Sequence, residues 1–280
     1  MNAFWKGDKG EMLIDINAYC GHWPFRNIAC NSLDKLAELA SDNGITHMVV
    51  SNINGFFYKD ANAANLELYA QLKAYSGKVL FLPLAIVNPT YPEWESDATK
   101  MLKLGFCGFE LAPRYHGYSL APEMPYDEYM PRHRAAEVLN LADQYDVPVR
   151  ICASIENFRG RGRMDTAENI FNDEILALLS ANRNVNVLIT GFNPNIINAD
   201  LSNLIKERKK TYFDITQVEG FMINNMKTAM EKVSVSNFCF GTGLPFQYAE
   251  TNLVKLFFSK SFSHPGIPAE NIKNVFKELR

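Results

Sequence analysis

The chain has 280 residues, 47 % of them apolar, which is ample for one large core and usual for a single α/β barrel. A formal charge of -3 leaves no basic footprint, so nucleic acid is not an expected partner. Five cysteines (Cys20, Cys30, Cys107, Cys152 and Cys239) lie far apart with no C-x-x-C pair, which indicates neither a structural zinc nor a disulfide framework and fits a reduced, cytoplasmic setting.

Residues 1–11 carry charges and glycines where a secretory signal needs an apolar stretch, and no apolar run reaches membrane-spanning length. A soluble protein with no membrane partner is expected, with residues 1–11 as a loose arm and 12–280 as one domain. Short apolar runs then alternate with longer amphipathic stretches, the pattern of repeated strand-helix units. Strands are expected at Met12–Asn17, Thr46–Ser51, Val79–Ile86, Phe106–Ala112, Val147–Ala153, Val185–Thr190, Thr211–Ile215 and Asn237–Thr242. Helical patterns run over Ser32–Asp42, Asn62–Tyr75, Arg132–Tyr145, Glu168–Ala181 and Glu219–Lys232. The expected fold class is α/β, a (β/α)8 barrel. An open doubly wound sheet is the rival, but Cys20-Gly21-His22-Trp23-Pro24 is not the glycine-rich turn that such folds place after their first strand. The longest irregular segments, Pro113–Met130 and Ser154–Thr166, follow strands four and five, and barrels of this kind carry function on the loops after their strands.

With the strands placed, nearly the whole chain resembles the amidohydrolase-related family of TIM barrels, which includes the aminocarboxymuconate-semialdehyde decarboxylase type. Gly105-Phe106-Cys107-Gly108-Phe109-Glu110-Leu111-Ala112-Pro113 resembles that family's strand four, and Phe240-Gly241-Thr242-Gly243-Leu244-Pro245-Phe246 resembles its strand eight. Pro148–Cys152 and Val187–Gly191 resemble strands five and six. The resemblance implies a metal-binding hydrolase or lyase. Carried across position by position, however, the ligand sites fall on Asn17, Tyr19, Cys152, Thr190 and Gly243, of which only Cys152 binds zinc well. No metal and no other cofactor is therefore expected. A narrower, metal-poor group is similar to Gly21-His22-Trp23-Pro24-Phe25-Arg26 and Tyr115-His116-Gly117-Tyr118, but it names no substrate.

Period-two alternation turns Arg150 to the same face as Cys152, and likewise turns Glu110, Asp15, Asn17 and Tyr19 into the barrel. Arg150 then reads either as the fixed positive charge that replaces a metal or as half of a structural salt bridge with Glu110, since an unpaired buried charge is costly. His116, beside Arg114 and two tyrosines, is a candidate acid or base, and His22 is a second histidine at the mouth. His47, His133 and His264 read as surface or packing residues. Arg114, Arg159, Arg161 and Arg163 are candidates to clamp a carboxylate or phosphate, against the alternative of a solvated loop. The candidate set is thus His116, Glu110 and Arg150 for catalysis. Asn17, Tyr19, His22, Arg114, Tyr118, Cys152, Glu156, Arg159 and Asp214 are candidates for substrate binding. Glu219 could instead cap a helix, and Cys152 could be an inert buried thiol.

Two functional readings stand: a metal-independent hydrolase or lyase acting on a small anionic or sugar-derived molecule, or an inactive barrel kept for binding or assembly. A closed polar pocket would favour the first and an apolar-filled mouth the second. Self-association is left open by the sequence.

Overall fold

The computed structural model describes residues 12–121, 135–156, 160–218, 223–258 and 266–279. The expected arm at residues 1–11, together with His133, Arg159, Glu219 and His264, lies outside them. Eight parallel strands follow in chain order: β1 (Ile14–Cys20), β2 (His47–Asn52), β3 (Leu80–Ile86), β4 (Gly108–Leu111), β5 (Val149–Cys152), β6 (Val187–Thr190), β7 (Thr211–Asp214) and β8 (Phe238–Cys239). The sheet closes on itself where Ile16 N donates to Phe240 O at 3.0 Å and Tyr19 N donates to Leu244 O at 2.9 Å. The barrel expected from the apolar alternation is therefore the observed one.

Helices α1 (Leu33–Asp42), α2 (Ala61–Ala74), α3 (Trp94–Lys103), α4 (Ala135–Tyr145), α5 (Asn172–Ala181), α6 (Ala199–Arg208), α7 (Ile223–Lys232) and α8 (Ala249–Phe258) connect or follow the strands. In α1 the buried residues Leu33, Leu36, Ala37 and Ala40 recur three and four apart, an apolar stripe on one face. Starts are set by polar caps, as where Asp60 Oδ1 accepts the Asn62 N–H ahead of α2. No helix among the described residues is long and apolar enough to cross a membrane.

Inside the barrel the side chains form three layers. At the bottom, Ile14, Ile16, Val49, Leu82, Leu84 and Leu188 meet Ile272, Val275 and Phe276 of the C-terminal segment, which plugs that end. The middle layer is polar. The top layer is again apolar, made by residues at the strand ends, such as Tyr19, Ile86 and Cys152, and by others on the loops that follow.

Strand β1 departs from regular alternation. Its pairing with β2 shifts register between Asp15 and Ala18, so the inward face passes from Ile14 and Ile16 to Tyr19. Asp15 consequently does not share the inner face with Tyr19, as strict alternation predicts. It turns to the segment after β8 instead, accepting the Thr242 N–H at 2.9 Å and the Thr242 hydroxyl.

Candidate active site at the C-terminal end of the barrel

Arg150 and Glu110 are register partners on adjacent strands and are both fully buried. Arg150 Nη2 donates to Glu110 Oε2 at 2.6 Å and to Ser51 Oγ at 3.0 Å, while Nη1 donates to the carbonyls of Ile16 and Val49, each at 3.0 Å. The Tyr19 hydroxyl donates to Glu110 Oε1 at 2.9 Å, and the Tyr19 ring lies 4.6 Å from the guanidinium carbon. Both carboxylate oxygens of Glu110 are thus taken, and one of its donors is the cation itself. Burial opposes the Arg150 charge, but the Glu110 carboxylate more than offsets it, so the guanidinium stays protonated. A positive charge neutralised at such short range projects little field toward a ligand. The salt bridge expected between Arg150 and Glu110 is present, at 2.6 Å.

Above this layer stands a second carboxylate. Asp214, at the end of β7, is fully buried; its Oδ2 accepts the Asn17 amide and the Thr216 hydroxyl, each at 2.6 Å, and its Oδ1 accepts the Gly191 N–H at 3.1 Å. Gly241 makes this contact possible, because a Cβ at that position would lie 2.7 Å from Asp214 Cβ and 3.2 Å from Asn17 Cβ. Burial raises the Asp214 pKa from its ordinary value despite its hydrogen bonds and the Lys255 charge, which pull it down. For Asp15, burial raises the pKa to about 6, with the Asp214 charge adding to the effect. Asn17 links the two carboxylates, since its own N–H donates to Asp15 Oδ1 at 2.9 Å.

Aromatic side chains cover the polar layer. Trp23, 1 % exposed, sits edge-on to Phe25, Phe57, Tyr115 and Phe246, with ring centroids 4.9–5.9 Å away. Glu156 pins this cover: Oε2 accepts the Trp23 indole N–H at 3.2 Å, and Oε1 pairs with Arg26 at 2.5 Å. Glu156 therefore holds the loop after β1 rather than projecting freely toward a ligand. Cys152 lies in the same apolar cluster, and burial pushes its thiol pKa far up, which suits an inert side chain better than a nucleophile.

The remaining candidates are dispersed. His116 places Nε2 3.0 Å from the Gly55 carbonyl and packs edge-on against Phe56; burial lowers its pKa to about 4 and keeps it neutral. Tyr118 stacks on that imidazole, with its hydroxyl buried and without a hydrogen-bond partner among the described residues. The His22 side chain is exposed. Arg114 is turned away from a clamping role: it pairs with Glu174, donating to Oε1 at 3.1 Å, and also bonds the Asn169 carbonyl at 3.1 Å. Arg161 is tied to Ser154 Oγ at 3.1 Å and to the Ala167 carbonyl, and Arg163 is exposed.

Sequence reasoning missed Glu174, Thr216, Thr242 and Gly241. A signal existed for Glu174, which stands in the first turn of α5 and accepts the Phe171 N–H at 3.1 Å. Thr216 and Gly241 carry no local signal, because their meaning comes from Asp214, a neighbour in space.

The ligand positions implied by the resemblance do not suit a divalent metal. The Asn17 amide is given to Asp214, the Tyr19 hydroxyl to Glu110, and the Thr190 hydroxyl points at the Ile151 carbonyl 3.5 Å away. Gly243 offers no side chain. Among the described residues no group of three or more His, Cys, Asp or Glu side chains is arranged to hold a metal ion.

Fold and interior together define a closed (β/α)8 barrel in which the positions that the sequence resemblance assigns to metal ligands carry side chains ill suited to that role. Comparison with solved structures agrees on the fold. A Staphylococcus aureus protein assigned as an amidohydrolase superposes with a TM-score of 0.68 at 13% identity, covering 95% of this chain and 99% of its own. Dihydroxybenzoic acid decarboxylase from Polaromonas sp. JS666, with bound manganese and the inhibitor 2-nitroresorcinol, gives 0.68 at 13% identity, covering 96% of this chain and 98% of its own. An Acinetobacter baumannii protein assigned as a 2-pyrone-4,6-dicarboxylic acid hydrolase gives 0.60 at 13% identity, covering 95% of this chain and 99% of its own. No family model and no curated protein matches the sequence. At such identities the likeness concerns the fold.

Proposed function

We propose that this protein is a hydrolase or lyase acting on a small aromatic or cyclic carboxylate, with Asp214 rather than a metal ion handling the proton. The observation that carries this reading is the Asp214 environment. Its carboxylate is fully buried at the C-terminal end of the barrel and hydrogen-bonded to Asn17, Thr216 and Gly191, and its pKa is raised by burial. A buried carboxylate held by neutral donors, its pKa raised by burial, suits general acid-base work at the end of the barrel where this fold class performs its chemistry. Protonated, Asp214 delivers a proton to a developing carbanion or leaving group; ionised, it takes one from water. Asn17 and Thr216 fix its orientation. Support for the substrate class comes from neighbours of the same fold named for dihydroxybenzoic acid and 2-pyrone-4,6-dicarboxylic acid. Substrate entry requires the Trp23 loop to swing away, about Gly21, whose φ of 100° marks the left-handed region that glycine adopts readily.

One observation favours a second reading. The mouth is filled by aromatic rings, the arrangement expected of a binding or assembly barrel.

A panel of hydroxybenzoates and cyclic dicarboxylates, assayed by product formation in the presence of a chelator, separates the two. Turnover that survives chelation and falls at least about a hundredfold in Asp214→Asn supports the acid-base role. Absence of turnover in both the wild type and Trp23→Ala would leave the inactive barrel as the better account.

A further inference from the structure

Two buried carboxyl groups and one buried ammonium close a ring of hydrogen bonds where β1, β7 and the segment after β8 meet α8. Asn17 donates its side-chain amide to Asp214 Oδ2 at 2.6 Å and its backbone N–H to Asp15 Oδ1 at 2.9 Å. Asp15 accepts the Thr242 N–H and hydroxyl, and the Thr242 carbonyl accepts the Asn252 side-chain amide at 3.0 Å. Lys255 Nζ donates to Asn252 Oδ1 at 2.8 Å, and also to the carbonyls of Ile215 at 2.7 Å and Thr216 at 3.1 Å. The Thr216 hydroxyl closes the ring on Asp214 Oδ2 at 2.6 Å. Each of these seven side chains belongs to a buried residue.

Asn252 and Lys255 stand three residues apart on α8, whose Leu253 and Leu256 already supply buried apolar side chains. Packing alone has no use for a lysine there, since burying an ammonium is costly unless a charge balances it. Ile215 and Thr216 lie just beyond β7, and the Lys255 hydrogens satisfy their carbonyls. A neutral donor would do that as well. The charge finds its counterpart in Asp214, one residue away: Thr216 meets the ammonium with its carbonyl and the carboxylate with its hydroxyl. Near Asp214 also stand Asp15, a second carboxyl group, and the thiols of Cys152 and Cys239, which burial keeps protonated. Lys255 favours the ionised form of Asp214 against the effect of burial. We propose that Lys255 is a positioning residue for Asp214, fixing the Thr216 turn and supplying the positive charge that balances the carboxylate. This deepens, and rests on, the reading of Asp214 as the group that handles the proton.

Carbon-13 NMR of selectively labelled aspartate carboxyl groups tests the proposal, with the Asp214 signal assigned by its loss in Asp214→Asn. Lys255→Gln keeps a donor for the turn carbonyls and removes the charge, so the Asp214 titration midpoint should rise, its proton affinity increasing several-fold. Lys255→Arg keeps the charge and should leave the midpoint near that of the wild type. Asn252→Asp retains Lys255 and its acceptor but pairs the ammonium with a new carboxylate; it should raise the midpoint too, and it carries the test if Lys255→Gln does not fold. An unmoved midpoint in the neutralised variant, or an equal rise in Lys255→Arg, would overturn the role of the charge even where Asp214→Asn abolishes turnover. A midpoint that rises as expected, in a protein whose turnover of the substrate panel survives Asp214→Asn, would uphold the charge balance and sink the reading of Asp214 on which its catalytic meaning rests.

Discussion

Glu110 and Arg150 face each other in register on β4 and β5 and are joined by a 2.6 Å hydrogen bond at the centre of the barrel, with neither side chain exposed. Ser51, Tyr19 and two strand carbonyls take up other hydrogen-bonding groups of the pair. Removing one partner leaves the other as an uncompensated buried charge. Glu110→Ala or Arg150→Ala should each cost about 3–5 kcal/mol, and the double variant clearly less than their sum. Urea unfolding of the four proteins measures this, and additive effects would show that the charges are not coupled.

Asp15 should make stability fall with rising pH. Its folded pKa of about 6 exceeds the ordinary value of 3.8, so the folded state holds a proton that the unfolded chain releases between those values. The contribution is fully present below the unfolded pKa and is lost as pH rises through about 6, amounting to about 3 kcal/mol. In Asp15→Asn the decline between pH 4 and 7 should shrink by roughly that amount. Identical pH profiles for wild type and variant would refute the shift.

His116 acts in the opposite direction. Burial lowers its pKa from 6.5 to about 4, so its contribution is present above the unfolded value and is lost as pH falls through the folded one. Its imidazole protons should titrate near pH 4 in NMR spectra. Titration at the ordinary value would place the ring in solvent.

The aromatic cover depends on Glu156, which holds both the Trp23 indole and Arg26. Glu156→Gln keeps an acceptor for the indole but removes the ion pair. Because Arg26 is 45% exposed, global stability should change by about 1 kcal/mol or less. Amide exchange across residues 22–31 should nevertheless rise several-fold, because a loop held by few contacts opens locally. Unaltered exchange would mean that ring packing alone holds the cover.

Protein produced in zinc- and manganese-supplemented medium should carry well under about one-tenth of an equivalent of either metal, because ligand number and geometry set affinity. Elemental analysis checks this. Near one equivalent, removed by chelation together with activity, would contradict the donor-set argument.

The barrel was legible in the sequence because strand and helix periodicities differ, and eight apolar runs separated by helical stretches admit few closed arrangements. Alternation also pointed Arg150, Glu110 and Tyr19 inward, since Cβ directions on a regular strand are local geometry. The same logic failed for Asp15, where an irregularity in β1 shifts the register, and pairing with β2 and β8 is set by chain far away in sequence. Partner choice was likewise beyond local reading. The Arg114 to Glu174 pair spans 60 residues and the Trp23 to Glu156 bond spans 133, so only the closed fold decides that these groups satisfy one another rather than a ligand. Sequence therefore determined which residues face the interior, whereas tertiary structure decided which of them stay chemically free. A buried charge or donor bonds to whatever the fold brings within about 3 Å, and that proximity is a property of the assembled strands.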